Sequence, residues 1–307
     1  MLNWLVTTIA PTGTQHIITA GDFQAVVTEV GAGLRELTHR GRPLVLGYPE
    51  SETPYGSAGL PLLPWPNRVE EGRYDFDGQA RQLSITEPKF GNAAHGFTRT
   101  LPWRLDASDE SSVRLALRLF PQPGYPHIMD FTASYTVSSS GLSVETTAHN
   151  RGTTPAPYGF GAHPYLTTGA PLDETVLELP ASRYLTVNDR KIPTAVHDVT
   201  GTPYDFRTPH PIGTLPLDTA FTALTRSPDD LIHVRLTHGS QGVELWAAQG
   251  INWLQLFTAD PLPTPRRRAA LAVEPMTCPP NAFRTGEDLI RLSPDAQVSH
   301  HWGIRPL

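Results

Sequence analysis

Glu274 is the least ordinary chemical group in this chain. It interrupts an apolar strand-like stretch, Leu271-Ala-Val-Glu-Pro-Met276, whose neighbours imply desolvation, and a buried carboxylate needs either a partner or a function. Three other polar islands accompany it. His163 lies in the glycine- and aromatic-rich run Tyr158-Gly-Phe-Gly-Ala-His-Pro-Tyr165, and Asp218 in Leu217-Asp-Thr-Ala-Phe-Thr-Ala-Leu224. Asn67-Arg68 and His95-Gly96 flank a hairpin, Tyr74-Asp-Phe-Asp-Gly-Gln-Ala-Arg-Gln-Leu-Ser-Ile85. An arginine on one side of a hairpin and a histidine on the other can converge at one end of a sheet, where loops assemble polar sites. Each group also has an ordinary reading. A histidine in a β-protein often serves only as a hydrogen-bonded structural residue, and this chain has 12 of them. Arg68 could bridge Glu70 or Glu71, and Asp218 could be a turn residue bonded to its own backbone.

The elements that must position these groups are short alternating segments. Asp77-Gly78 is the dipeptide of a type I′ turn, which needs positive φ at both residues. Thr14–Ala20 and Phe23–Val30 are parted by Gly21-Asp22. Val113, Leu115, Leu117 and Leu119 share one face of a segment whose other face carries Arg114 and Arg118. Phe131–Val137 and Leu142–His149, then Leu231–Leu236 and Val243–Ala248, and finally Trp253–Thr258 repeat the pattern. Period-two alternation broken by turn residues predicts antiparallel strands. The 31 prolines are about one residue in ten, roughly twice average usage, and they break helices and remove donors. The expectation is an all-β chain with at most one or two short helical turns. It forms one continuous domain over residues 1–307, built as a large antiparallel β-sandwich rather than a closed barrel.

Composition limits the partners. A net charge of −6 argues against a nucleic-acid surface or a polybasic membrane contact. The single cysteine, Cys278, excludes an intramolecular disulfide, and no paired Cys/His spacing suggests zinc. No metal is expected, since the histidines are dispersed and none pairs with an acid at short spacing. Leu2–Ala10 is apolar but short and without a basic flank, so it reads as a first strand or loose end rather than a signal peptide. No apolar run approaches the roughly 20 residues of a spanning helix. These readings describe a soluble protein of a reducing compartment, placed in the cytoplasm.

Taken in order, NRVEEGRYDFDG, NAAHGF, GAHPYL, TPYDFRTPHPIG, LDTAF, WLQLFTAD and LAVEPMTCPPNAF resemble the aldose 1-epimerase (galactose mutarotase) family. The resemblance runs from about Gly13 to Asp295. It implies a galactose mutarotase-like β-supersandwich with a monosaccharide site in a groove and no cofactor, in a monomer or homodimer. It further implies Glu274 as general base, His163 as general acid, and Asn67, Arg68, His95, Asp218 and Gln255 as sugar-binding residues. The sequence differs from galactose-acting members at two places. Asn92-Ala-Ala-His-Gly-Phe97 has one glycine after its histidine where they have two, and GAHPYL replaces their THxYFNL. His95-Gly-Phe-Thr-Arg99 is also similar to the hexose-6-phosphate epimerase branch, in which arginines hold the phosphate. Arg73, Arg99 or the run Arg266–Arg268 could serve that purpose here, although arginine runs in loops are usually solvated.

The implied reaction explains the residue types. Interconverting anomers opens a cyclic hemiacetal and closes it on the other face, so the C1 hydroxyl loses a proton while the ring oxygen gains one. A carboxylate beside O1 and an imidazolium beside the ring oxygen serve both needs. They exchange roles on closure. The apolar flank of Glu274 would raise its pKa and Arg68 would lower it. Tyr165, Trp65 or Trp246 could stack on the sugar, although each also suits the core. Two further readings remain: a non-catalytic carbohydrate-binding protein, and a glycoside hydrolase using Asp218 and Glu274, which would leave His163 without a role.

Overall fold

Two broad antiparallel sheets dominate the computed structural model, which describes residues 9–307. The apolar segment Leu2–Ala10, expected as a first strand or loose end, lies almost wholly outside those residues. In the larger sheet, nine strands run in the order Arg104–Ser108, Ser112–Leu119, Met129–Ser138, Gly141–Asn150, Gln297–Pro306, Gln241–Ala247, Ile232–His238, Val176–Glu178 and His210–Pro211. The second sheet carries the site. Its order is Pro193–Asp198, Ala181–Val187, Asp218–Leu224, Trp253–Phe257, Leu271–Met276, Gly161–Ala162 and Pro61–Leu62, with Tyr165–Leu166 also paired to Leu271–Met276. A four-stranded sheet begins at Gln15 and ends at Pro43.

Alternation explains how the sheets share a core. Val113, Leu115 and Leu119, Phe131, Val144, Leu245 and Ile304 of the larger sheet join Phe221, Leu254, Leu256, Leu271 and Val273 of the second in one buried cluster. Leu271–Met276 is buried on both faces, as a central strand should be. The Asp77-Gly78 turn has the left-handed backbone its sequence requires, with φ of 53° and 70°. The hairpin strands are shorter than the alternation suggested and end at Gln82. Helical turns exceed the expected one or two: Tyr55–Ser57, Thr98–Thr100, Leu172–Glu174 and Ala282–Thr285 each form one. All are single turns between strands, too short to show a helical period in the sequence. No helix among the described residues is long and apolar enough to cross a membrane.

Candidate active site

Strand register builds the floor of one cavity. Gln255 lies directly opposite Glu274 on adjacent strands, and Ala220 lies opposite Gln255 on the next. Asp218, two residues before Ala220, pairs across to Phe257. Directly opposed residues in a ladder, and residues two apart along a strand, share a face. Glu274, Gln255 and Asp218 therefore project from one face of three neighbouring strands. On the other side of Glu274, Gly161 pairs with Met276 and Tyr165 with Ala272. That register puts His163 across from Glu274. Pro164 interrupts the ladder there, and the His163 backbone bonds instead to Gly59 and Leu60.

The two side chains meet. His163 Nε2 lies 3.3 Å from Glu274 Oε1, and both residues are almost wholly buried. Neither Glu274 Oε2 nor His163 Nδ1 has a hydrogen-bond partner. Burial pushes the Glu274 carboxyl well above its ordinary range, Asp218 adds to this, and Arg68 opposes it. Desolvation therefore wins over the nearby cation. Burial also lowers the His163 imidazole to about 3, with Arg99 and Arg68 adding to the effect. Both shifts favour a neutral acid facing a neutral base.

Loops supply the rest of the cavity. Asn67 and His95 both sit in left-handed backbone, with φ of 52° and 60°. They bond reciprocally: the His95 N–H donates to the Asn67 carbonyl at 2.8 Å, and the Asn67 N–H donates to His95 Nδ1 at 3.2 Å. That second bond makes Nδ1 an acceptor and leaves the ring proton of neutral His95 on Nε2. Burial lowers this imidazole well below its usual range, aided by Arg99 and His163. Gly96 follows at φ 63°, where an added Cβ would lie 1.8 Å from the Leu63 carbonyl oxygen, so only glycine fits after this histidine. The His95 and His163 rings meet edge to face at 5.8 Å.

Arg68 takes a different partner from the ones its neighbours suggested. Glu87, not Glu70 or Glu71, grips it through Nε at 2.7 Å and Nη2 at 2.9 Å. Strand pairing explains the change, because Arg68–Glu70 pairs with Asn92–Ala94 and brings the Glu87 loop alongside. Burial would lower the Arg68 pKa, but its bonds to Glu87 together with the nearby Asp218 and Glu274 carboxyls outweigh that and hold the guanidinium charged. Gln255 Nε2 donates to Asp218 Oδ1 at 2.8 Å, and Lys191 Nζ approaches Asp218 Oδ2 at 3.3 Å.

All seven residues singled out in the sequence, Asn67, Arg68, His95, His163, Asp218, Gln255 and Glu274, line this one cavity of about 690 Å³. The aromatic candidates do not. Trp65 and Tyr165 are core residues, Tyr165 stacks on His163, and Trp246 covers Gly303. Phe90, Tyr204 and Phe257 line the cavity instead. Glu87, Lys89, Lys191 and Asp260 also line it without having been anticipated. The charged run Glu87-Pro-Lys89 beside Asn92 was a usable signal for the first two. Lys191 gave none, since Asn188-Asp-Arg-Lys191 reads as a solvated turn. Among the described residues, no three His, Cys, Asp or Glu side chains cluster as metal ligands.

The comparisons agree with this architecture. Residues 14–305 match the family model described as aldose 1-epimerase. The uncharacterized protein YihR of Escherichia coli (strain K12) is 36% identical over 289 residues, covering 94% of this chain and 91% of that protein. A GalM/aldose epimerase homologue from C. elegans superposes with a TM-score of 0.83 at 21% identity, over 96% of this chain and 99% of the other. A galactose 1-epimerase from Lactobacillus acidophilus NCFM does so at 0.78 and 18% identity, over 94% and 92%. With the family match extending across nearly the whole sequence and a relative sharing more than a third of its residues, this chain belongs to the aldose 1-epimerase family.

Proposed function

We propose that this protein interconverts the α and β anomers of a free hexopyranose, with Glu274 as general base and His163 as general acid. The observation that carries the reading is the 3.3 Å contact between these two buried side chains at the floor of a cavity lined by hydrogen-bonding groups. O1 and the ring oxygen are bonded to the same carbon, so an acid and a base serving them must stand close together. The sugar-free pair holds one proton, on Glu274, because burial disfavours both charges. Moving that proton to His163 gives the working state of carboxylate and imidazolium without any exchange with solvent. Glu274 then takes the O1 proton as His163 protonates the ring oxygen, and the ring opens. Rotation about C1–C2 presents the other carbonyl face; on closure Glu274 returns its proton to O1 while His163 takes its proton back from O5. His95 donates from Nε2–H on the ring-oxygen side, and Asp218 accepts from a hydroxyl. Asn67, Arg68 and Gln255 complete the hydrogen bonding.

Polarimetry on freshly dissolved α-glucose and α-galactose tests this. The expected result is mutarotation faster than in buffer, and a rate equal to buffer for every hexose tried would overturn it.

One observation favours a second reading, an anionic hexose. Arg99 lines the cavity, yet its hydrogen bonds go to neutral acceptors, Ser57 Oγ and the Ala94 carbonyl, both at 3.2 Å. Burial lowers its pKa, and distant Glu87 only partly offsets this. Lys89 lies over the Phe90 ring at 5.1 Å. By contrast, of the four lining carboxyl groups Glu274 faces His163, and Glu87, Asp218 and Asp260 each have a cation beside them, Arg68, Lys191 and Arg268. The free cations therefore outnumber the free anions. A hexose carrying a phosphate or sulfonate group would supply the missing charge. Arg99→Met should then reduce kcat/KM for a hexose 6-phosphate by about tenfold or more while barely changing that for the neutral hexose. Equal effects on both would remove this second reading.

A further inference from the structure

The turn that delivers Lys191 is held by Asn188. Asn188 Oδ1 accepts from the Arg190 and Ile192 N–H groups at 2.9 and 3.1 Å, and the Lys191 N–H donates to the Asn188 carbonyl at 2.8 Å. This leaves Lys191 at φ 63°, a left-handed position that glycine occupies more easily. A non-glycine residue kept in such backbone invites a functional explanation when its side chain reaches a site. Here it does, for Lys191 lines the cavity and its ammonium lies 3.3 Å from Asp218 Oδ2.

The preceding residue ties the turn to a neighbouring loop. Arg190 Nε donates to the Phe90 carbonyl at 3.1 Å and Nη2 to the Gly91 carbonyl at 3.2 Å, while Asn92 Nδ2 donates back to the Arg190 carbonyl at 2.8 Å. Its Nη1 also meets Glu71 at 3.3 Å. Arg190 does not line the cavity, yet it joins the loop that carries Lys191 to the loop that carries Glu87, Lys89 and Phe90.

We propose that Lys191 is a specificity-determining residue of the sugar site and that Arg190 is its positioning residue. Asp218 presents one oxygen to Gln255 and the other to Lys191, so a sugar hydroxyl arriving there meets an acceptor and a cationic donor together. Lys191 has donor capacity left after the Asp218 contact. A hydroxyl, or two neighbouring ones, that donates to Asp218 and accepts from Lys191 satisfies both. An epimer with the hydroxyl turned away forgoes both bonds, and a site built to hydrogen-bond a hydroxyl discriminates against such a sugar. Lys191 thus reads the configuration of the hydroxyl that meets Asp218.

This inference rests on the epimerase reading, so the test separates the two. Anomer interconversion is followed over a panel of hexose epimers and deoxyhexoses, alongside calorimetric binding of the same sugars and thermal melts. Lys191→Met should raise KM for the preferred hexose about tenfold, the size of one charged hydrogen bond, with kcat changed less than twofold and the preference between epimers flattened. Lys191→Gly should do the same while melting at a higher temperature than the parent, because the left-handed strain is gone. Arg190→Gln should raise KM similarly, Arg190→Lys should restore part of the loss, and combining Arg190→Gln with Lys191→Met should add little. Sugar binding weakened by Lys191→Met in a chain that epimerises nothing would uphold this inference while removing the epimerase reading. A KM and an epimer preference within twofold of the parent in both Lys191 variants would overturn it, as would calorimetry showing no hexose binding to the parent.

Discussion

Two glutamates in central strands of this protein face a histidine, and they have become different things. Glu244, on Gln241–Ala247, has Arg235 directly across on one neighbouring strand and Arg305 on the other. It accepts from Arg235 Nε at 2.7 Å, Arg305 Nη2 at 2.6 Å and His233 Nδ1 at 2.9 Å. Glu274, equally buried, has Gln255 across on one side and His163 on the other, and one of its oxygens has no partner. Cross-strand neighbours make the difference. Two arginines keep both oxygens of a carboxylate occupied, which suits an ion-pair network. A glutamine and a histidine leave it short of partners at the edge of a cavity, which suits proton transfer.

The sharpest way to break this contrast is Glu274→Gln. It should lower kcat by about 10³ to 10⁴, at the upper end of what one acid–base group contributes, with calorimetric sugar binding retained. Parent-like turnover would remove Glu274 as the base. His163→Asn should cost about 10² to 10³ in kcat; a rise in KM alone would reassign His163 to binding. Glu244→Gln should show the reverse profile, with kcat unchanged and stability reduced. We expect a loss at or below about 3 kcal/mol, the low end for breaking a buried pair, because Arg235 and Arg305 are 37% and 40% exposed and can reach water. Chemical denaturation of the pure variants measures it. A large activity loss in Glu244→Gln would erase the distinction between the two glutamates.

A smaller effect concerns acid. His163 is lowered from 6.5 to about 3, so between those pH values the unfolded chain binds a proton there that the folded chain does not. Stability supplied by the neutral imidazole is complete above pH 6.5 and is lost as pH falls through that window. His127 and His300, each lowered to about 4 by burial, and His95 act in the same direction. Glu274 opposes them above its ordinary 4.5, because its folded form keeps a proton that the unfolded form releases. The histidines outnumber it, so melting temperature should fall from pH 7 toward pH 5. His163→Asn should flatten that fall by up to about 1.4 kcal/mol per pH unit. An unchanged slope would mean that His163 titrates alike in the folded and unfolded chain.

Much of this molecule was legible in its residues. Alternation located most of the strands because side-chain direction in a strand is a local property with period two. Asp77-Gly78 announced its turn because few other dipeptides accept that backbone, and Glu274 stood out because a carboxylate inside an apolar strand conflicts with its surroundings. The ordered motifs placed the chain in its family and named seven residues that the fold gathers around one cavity.

Other features depended on which strands lie side by side. The Arg68–Glu87 clamp, the approach of Lys191 to Asp218, and the arginines flanking Glu244 all join residues from different segments of the chain. So does the meeting of His163 and Glu274. Register between distant strands is set by the packing of both faces and by the loops, not by any short window of sequence. Desolvation likewise depends on what covers a group, so the contest between burial and Arg68 over Glu274 was decided only once the sheets closed over it.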